Sequence, residues 1–411
     1  MNLLARLSTW GAAVALCAVG LIGYENTFTM IPGDIVREAG AAAAPKVLVL
    51  KGSPYERGLT HGKTLRTEIR KIVEVWKADL ARQFKVDGDT LVRNFFARTG
   101  YVAAARQWTP SILDEVRGIS DGSGIDFETV FVFQLVDEVW ANMKYIAAAH
   151  CSSIGVSARE GAPAYVAQNM DLETLRNGFQ ALLHIRDDRS AQESYVFTCA
   201  GLIGLNGMNN RSVGVCVNTV AQLSNGRNGL PVSFVVRGLL ERSTAEEAVE
   251  FLQKVKHASG QNYIIGGRRT VYDFEASSGK VVRYLPAQSG SIVYHTNHPL
   301  VNDDYNQEYR SYLQNTDQGT IRGGNSYVRF QALEKRLGGS AGPIGVDTIK
   351  SILQSKDSEL HPICRAFDPK NAAFTFGSVV MVLSGRPELH FAPGPPDVTP
   401  FEVYRFDGSP K

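Results

Sequence analysis

A cysteine and an aspartate stand in this chain at a spacing that suits nucleophilic catalysis. Cys151 lies where the small residues before His150 give way to a β-like run, and Gln168-Asn-Met-Asp171 follows on what we expect to be the next strand. A free thiol has a pKa of about 8.5 and is only partly ionised near neutral pH, so a reactive cysteine needs a neighbouring base or cation. The pattern predicts a nucleophile, one that must first be uncovered.

The other cysteines, by contrast, carry no sign of chemistry. They are scattered and show no Cys-x-x-Cys spacing, so neither a disulfide framework nor a zinc site is indicated. They are Cys17, Cys199, Cys216 and Cys364. Cys199 and Cys216 lie in apolar, strand-like runs, and we expect both to be buried as small hydrophobic residues.

Composition sets the class of protein. The chain has 411 residues, of which 44% are hydrophobic and 20% charged, as in ordinary globular proteins of one or two domains. Its 43 Lys and Arg nearly balance 41 Asp and Glu, and no basic stripe is visible. A nucleic-acid partner is therefore not expected.

The N-terminal 44 residues differ from the rest. A positively charged start, Met1–Arg6, precedes the uncharged apolar run Trp10–Gly23. That run has the length of a signal-peptide core and is shorter than the ~20 residues of a membrane span. We expect a secreted, periplasmic or membrane-anchored protein. A cytoplasmic location is the alternative, because the first small-residue cleavage site lies as far on as Ala39–Pro45.

Hydrophobic periodicity changes at Cys151. Before it, helical spacing predicts helices over 65–84, 90–101, 110–120 and 126–142; after it, alternation predicts strands near 164–168, 181–185, 194–199 and 213–217. Ser243-x-x-Glu246 has the form of a capping box that opens a helix. Further on, helices are predicted over 326–337 and 346–353, with strands over 263–293 and at 374–383, 388–391 and 401–406. Runs of helices and runs of strands favour a layered α+β fold.

Eight sequence blocks, in order, resemble the acyl-coenzyme A:6-aminopenicillanic acid (isopenicillin N) acyltransferase family of N-terminal-nucleophile (Ntn) hydrolases. They begin near Lys51 and continue almost to the end of the chain. The blocks are Gly52–Gly58 with His61-Gly62, Cys151-Ser-Ser153, Gln168–Asp171, Gly201–Gly204 leading to Gly207–Asn209 and Gly214–Asn218, Gly229–Pro231 with Arg237, His295–His298, Ser326–Arg329 and Ile363–Arg365. The resemblance implies an αββα four-layer sandwich with antiparallel sheets.

The resemblance also implies roles for five residues. Cys151 would be the nucleophile, made N-terminal when the precursor cleaves its own His150–Cys151 bond, so that the freed α-amino group serves as the base. Asp171 would orient that ammonium, and Arg329 would be a cation near the thiol. Asn297 would stabilise the oxyanion, with Asn218 contributing nearby.

Processing would divide the chain at the nucleophile. Residues 1–44 would be a signal-like or anchor extension, 45–150 a helical pro-segment or small subunit, and 151–411 the nucleophile-bearing large subunit. Two positions depart from the family's patterns. His150 stands where the penicillin acyltransferases have Gly, and Gln168 stands where the bile-salt amidases have Arg.

The predicted activity is that of an autoprocessed cysteine amidohydrolase or acyltransferase. Its partner would be a small-molecule amide or acyl substrate, with acyl-coenzyme A as the donor if transfer is the natural reaction, and it would need no metal or organic cofactor. Two alternatives stay open: an unprocessed, peptidase-like Cys-His hydrolase using His295, and a catalytically inactive binding protein on the same fold. A zinc site at His295-x-x-His298 is disfavoured, because the pattern supplies no third ligand.

Overall fold

The computed structural model describes residues 46–142, 151–187, 190–286, 291–338 and 344–406. The predictions for the N-terminal extension, for Cys17 and for the peptide bond before Cys151 lie outside these residues. Of the helices in the described part of the chain, none is long and apolar enough to cross a membrane.

The first described segment is one strand followed by helices. It comprises β1 (Lys46–Leu50), α1 (Pro54–Thr64), α2 (Arg66–Phe84), α3 (Gly88–Ala97), α4 (Tyr101–Trp108), α5 (Pro110–Ser123), α6 (Phe127–Phe133) and α7 (Glu138–Asn142). The prediction of a single helix over 126–142 is wrong, because the chain turns between α6 and α7. There the Gln134 side chain binds the Gly201 carbonyl (2.8 Å) and the Ile203 N–H (2.8 Å). The helix predicted to reach Tyr101 ends instead at Ala97.

The segment from Cys151 to residue 286 is mainly β. Its elements are β2 (Ser152–Val156), β3 (Tyr165–Glu173), a 3-10 turn (Thr174–Arg176), β4 (Gln180–Asp187), β5 (Gln192–Cys199), β6 (Asn206–Asn209), β7 (Gly214–Thr219), α8 (Val232–Leu240), α9 (Ala245–Lys254), β8 (Gln261–Gly266), β9 (Val271–Ala276) and β10 (Val281–Tyr284). Cys199 and Cys216 are fully buried, as predicted.

The remaining elements alternate again between helix and strand. They are β11 (Ile292–His295), α10 (Gln307–Asn315), α11 (Gln318–Arg322), α12 (Asn325–Gly338), α13 (Val346–Leu353), β12 (Ala373–Val382), β13 (Glu388–Ala392) and β14 (Glu402–Arg405). The helices predicted over 326–337 and 346–353 are confirmed as α12 and α13. Helices α10 and α11 were not predicted.

One helix cap differs from the sequence prediction by one residue. The N-cap of α9 is Thr244, whose hydroxyl accepts the Glu247 N–H (3.1 Å), and Glu247 in turn accepts the Ser243 N–H (2.9 Å). The N-cap is therefore Thr244, with Glu247 binding the residue before it, and the expected Ser243-x-x-Glu246 capping box is wrong. Helix α1 has a complete capping box between Ser53 and Glu56.

Within the described residues the strands form two sheets. The eight-stranded sheet has the order β1-β4-β5-β6-β7-β8-β9-β10, and the six-stranded sheet has the order β11-β2-β3-β12-β13-β14. Pairing is antiparallel throughout except between β1 and β4, which are parallel. The antiparallel α+β fold is therefore confirmed, with one parallel edge strand that the sequence pattern did not predict.

The two sheets stack face to face and carry helices on their outer faces. Strands β2 and β3 pack against β7 and β8; α8 and α9 cover the eight-stranded sheet, and α12 and α13 cover the six-stranded one. Every residue of β2, β8 and β12 is buried, as expected for strands enclosed on both faces. At Gly155 the sheets approach closely, since a Cβ there would lie 2.5 Å from a Val271 methyl.

A buried ion pair joins the first helical segment to the β body. Glu115 of α5 accepts two hydrogen bonds from the Arg237 guanidinium of α8, at 2.7 and 2.9 Å. Arg57 of α1 lies 3.6 Å from the same carboxylate. The charges of Arg237 and Arg57 outweigh burial and lower the pKa of Glu115. Residues 46–142 are therefore packed as part of the sandwich.

Replacing Glu115 should destabilise the fold strongly. In Glu115→Ala the buried Arg237 loses its charge partner, and such a loss costs about 3–5 kcal/mol of unfolding free energy. Urea unfolding measures this. Glu250→Ala, which removes the exposed Glu250–Lys254 pair, is the control and should change nothing measurable. If Glu115→Ala lowered the unfolding free energy as little as the control does, Glu115 would not be a buried charge that is paired with Arg237.

Candidate active site

Cys151 lies directly before β2, between the two neighbouring strands β11 and β3. It is 3% exposed, and its Sγ lies 3.5 Å from Met170 Sδ and 3.9 Å from the Asp171 carbonyl oxygen. Burial first, and then the negative charge of Asp171, raise the pKa of the thiol, and the charge of Arg329 opposes them. In this environment the thiol is protonated at neutral pH, so attack on a carbonyl requires a base.

Arg329, on α12, contacts the backbone of Cys151. One guanidinium nitrogen donates to the Cys151 carbonyl (2.6 Å) and to Ser152 Oγ (2.8 Å), and another donates to Asn297 Oδ1 (2.8 Å). The side chain is fully buried. Burial lowers its pKa to about 10. The guanidinium therefore stays charged at neutral pH.

Asn297 follows β11 and is oriented by hydrogen bonds on each side of its amide. Its Oδ1 accepts from Arg329, and its Nδ2 donates to the Thr219 carbonyl (3.0 Å). Its backbone N–H donates to Ser326 Oγ (2.7 Å). One N–H of the amide is thus bound to Thr219, and the second stays available to a ligand.

Asp171 lies on β3 opposite Thr375 of β12, at a bulge in β12 between Thr375 and Gly377. Its Oδ1 accepts from Thr375 Oγ1 (2.8 Å), whereas its Oδ2, also buried, has no hydrogen-bond partner among the described residues. Burial raises the pKa of Asp171 to about 7, against the charges of Arg365 and Arg329. One oxygen of this carboxylate therefore lacks a donor.

Asn218, on β7, faces the space between the sheets. Its Oδ1 accepts from Ser153 Oγ (2.6 Å) and from Gln168 Nε2 (2.8 Å). Its Nδ2 is buried and has no partner in the described part of the chain. Ser153 and Gln168 lie two residues along their strands from Cys151 and Met170. Asn218 therefore contacts β2 and β3 two residues further along these strands, and it lies deeper between the two sheets than the other predicted residues.

The imidazole of His295 is occupied by other groups. Its Nε2 lies 2.8 Å from Glu275 Oε1, and its Nδ1 lies 2.8 Å from the Thr296 carbonyl. Burial alone would lower the pKa of His295, but the hydrogen bond to Glu275 and the charges of Asp273 and Glu275 raise it. Both ring nitrogens therefore act as donors to groups other than Cys151.

Residues 156–382, more than half of the chain, match the family described as acyl-coenzyme A:6-aminopenicillanic acid acyl-transferase. The chain belongs to this family. Asp171, Asn218, Asn297 and Arg329 lie inside the matched region, and Cys151 lies just before it. Membership places the chain among acyltransferase-type enzymes that act on amide bonds.

Individual relatives of this family member are distant. The chain is 23% identical over 350 residues to the acyl-coenzyme A:6-aminopenicillanic-acid-acyltransferase 40 kDa form of Emericella nidulans, covering 82% of this chain and 89% of that protein. It is 30% identical over 124 residues to protein dcd1A of Dictyostelium discoideum, over 26% of each. Penicillin V acylase from Agrobacterium tumefaciens superposes with a TM-score of 0.37 at 16% identity, over 59% of this chain and 82% of that one.

Sequence reasoning missed several residues that complete the site of this acyltransferase-family chain. The sequence shows Gln168 only as a departure from the bile-salt amidase pattern, yet its amide bridges β7 and β6 by donating to Asn218 and accepting from Asn206 (2.8 Å). Thr375 and Ser326 each support a predicted residue. The only sequence signal for them was their place in or near the family blocks, since a serine or threonine hydroxyl has no diagnostic spacing.

The raised pKa of Asp171 predicts how its replacement changes stability with pH. Between pH 3.8 and about 7 the folded chain keeps a proton that the unfolded chain releases, so this residue's contribution makes the fold less stable as pH rises. In a Cys151→Ala background, Asp171→Asn should raise the unfolding free energy at pH 8, on the order of a few kcal/mol, and change little at pH 4.

Urea unfolding at the two pH values checks this expectation. Asp89→Asn, at an exposed carboxylate on α3 with a lysine partner, is the control and should show no such pH dependence. If Asp171→Asn were less stable at pH 8, the carboxylate would be ionised and stabilised by the neighbouring arginines, and the raised pKa would be wrong.

Proposed function

We propose that the protein is a cysteine amidohydrolase or acyltransferase that becomes active by cleaving its own His150–Cys151 bond. The Cys151 thiolate attacks the carbonyl carbon of an amide or thioester, and the carbonyl π electrons move to oxygen. The tetrahedral intermediate then expels the amine or thiol, which takes a proton from the α-ammonium, and leaves an acyl-thioester on Cys151. Water or an acceptor amine releases the acyl group and regenerates the thiol.

The observation that carries this proposal is the buried Oδ2 of Asp171, which has no hydrogen-bond partner among the described residues, on a carboxylate whose charge acts on the Cys151 thiol. A buried carboxylate oxygen without a donor costs free energy, so such an atom calls for a partner that forms at another stage. Cleavage before Cys151 would create a cationic α-amino group on the residue whose Sγ is 3.9 Å from the Asp171 carbonyl. That ammonium would supply the missing donor.

The amides of Asn297 and Asn218 support stabilisation of the oxyanion. Asn297 has a free N–H on an amide that is held by Arg329 and Thr219. Asn218 has a buried Nδ2 without a partner among the described residues. Donors held in place before the reaction stabilise developing negative charge without reorganisation. The expected role of Arg329 is to hold the Cys151 backbone and Asn297 together, in addition to its charge near the thiol.

The substrate class follows from the reaction class. The family description and the Emericella relative's name both point to acyl transfer from acyl-coenzyme A to an amine. We extend this to a small-molecule amide or acyl substrate. We propose that the N-terminal extension exports the protein. Water would then accept the acyl group, because acyl-coenzyme A is a cytoplasmic compound. A cytoplasmic protein would instead transfer the acyl group from acyl-coenzyme A to an amine.

The geometry favours this proposal over the two alternatives. A Cys-His hydrolase needs an imidazole nitrogen directed at the thiol, whereas His295 binds Glu275 and Thr296. An inactive binding protein would not need a buried arginine that holds both the Cys151 carbonyl and the Asn297 amide. Residues 45–150 and 151–411 would then be two subunits of one precursor.

Mass spectrometry of the purified protein tests processing. We expect one fragment that ends at His150 and one that begins at Cys151, and a Cys151→Ala variant that stays a single chain. The Cys216→Ala variant is the control, because it removes a different buried thiol and should still be cleaved. An uncleaved but active wild type would favour the Cys-His hydrolase, and an uncleaved, inactive one the binding protein.

Replacing Asn297 tests the oxyanion donor. Asn297→Ala should lower kcat about 100- to 1,000-fold with little change in KM, because the hydrogen bond strengthens only as charge develops on the carbonyl oxygen. Hydrolysis of a panel of N-acyl 4-nitroanilides measures both constants. Asn315→Ala, at an exposed asparagine on α10, is the matched control and should match wild type. An equal loss in the control would show a general effect on the fold.

A further inference from the structure

The chain segment that precedes the nucleophile contributes a carboxylate to the site. Asp137 lies in the turn between α6 and α7, and its Oδ2 accepts from Thr219 Oγ1 (2.8 Å) and from Gln261 Nε2 (2.7 Å). Thr219 and Gln261 are direct partners across β7 and β8. One carboxylate oxygen therefore holds together two strand ends of the eight-stranded sheet.

Thr219 connects this carboxylate to the candidate oxyanion donor. Its hydroxyl donates to Asp137, and its backbone carbonyl accepts from Asn297 Nδ2 (3.0 Å). The other end of the Asn297 amide accepts from Arg329, which donates to the Cys151 carbonyl. A continuous line of hydrogen bonds thus runs from Asp137 to the nucleophile.

Anchors on both sides hold Asp137 in place. Gln134 binds Gly201 and Ile203 through its side chain, and the carboxylate of Glu138 accepts from the Val232 N–H (2.8 Å). These contacts explain why the helix predicted over 126–142 is interrupted here. A side chain between two such anchors is fixed before any substrate binds.

Asp137 is also close enough to act on the thiol electrostatically. Its charge is among those that raise the pKa of Cys151, after burial and Asp171, while Arg329 lowers it. The Cys216 thiol of β7 is a neighbour of Cys151: burial, and then a charge on Cys151, raise the pKa of Cys216. The titratable groups around the Cys151 thiol are therefore Asp171 of β3, Cys216 of β7, Arg329 of α12 and Asp137 of the α6–α7 turn. Loss of the Asp137 charge should therefore favour the thiolate.

We propose that Asp137 is a positioning residue of the active site, which orients the Asn297 amide through Thr219. The inference rests on the proposed acyl-transfer function, in which Asn297 is the oxyanion donor. The segment before Cys151 would thereby supply a part of the site that the residues after Cys151 do not contain.

Two reactions of Cys151 separate positioning from general damage. Acylation by 4-nitrophenyl acetate passes through an oxyanion, whereas alkylation by iodoacetamide does not, and mass spectrometry assigns both to Cys151. In Thr219→Val, which removes only the hydroxyl, acylation should slow by about tenfold or more while alkylation keeps the wild-type rate. Thr219→Ser should restore acylation.

Asp137→Asn should show both effects of the carboxylate. Acylation should slow, and the pH midpoint of alkylation should move downward, because a negative charge that raises the pKa of the thiol is gone. Thr198→Val is the matched control: it removes a buried threonine hydroxyl of β5 that binds the Cys199 and Leu202 carbonyls, and both rates should equal wild type.

The outcomes distinguish this inference from the proposed function. Wild-type acylation rates in Thr219→Val would overturn the positioning role alone, and so would an equal slowing of both reactions, which signals a purely structural effect. A wild-type Cys151 that is alkylated but never acylated would overturn the proposed function, and the inference with it.

Discussion

The buried guanidinium of Arg329 is the interaction on which the site depends. It donates to the Cys151 carbonyl, Ser152 Oγ, Asn297 Oδ1 and Asn325 Oδ1, and so connects the start of β2, the end of β11 and the first turn of α12. The planar fork of arginine can hold several oxygens in a fixed geometry, which a lysine ammonium does less well. The position of Cys151, the candidate nucleophile, and the orientation of Asn297, the candidate oxyanion donor, thus depend on the same side chain.

A buried cation needs compensation, and the surroundings of Arg329 supply it. The charge of Asp171 favours the charged guanidinium and partly offsets burial and the repulsion from Arg365. The same arrangement leaves Asp171 with a pKa of about 7 and Cys151 protonated. The groups around Cys151 thus keep its thiol in the protonated form. An added ammonium beside Asp171 would change the balance for both groups.

The sequence predicted the family and the α+β fold, and it proposed site residues where residue type and local pattern carry information. Cys151 could be singled out because it lies at a change from helical to alternating periodicity and Asp171 because it follows on the next predicted strand, and the family blocks supplied Asn297 and Arg329. The four come together in one site, and Asn218 lies deeper between the two sheets. The turn at Gln134 could not be predicted, because its cause is a side chain that binds backbone groups near residue 202, far along the chain.

The sequence by itself determined the residue types of the site, the kind of most helices and strands, and membership of a family, because periodicity, caps and motifs are local properties of a chain. Only the tertiary structure decided which of these residues meet. The pairing of His295 with Ser153 brings Asn297 alongside Cys151, and the stacking of two sheets brings Thr219 to Asn297 and Asp137 to Thr219. Such contacts join residues separated by about eighty positions or more, and they depend on strand register and sheet packing, which no local pattern encodes.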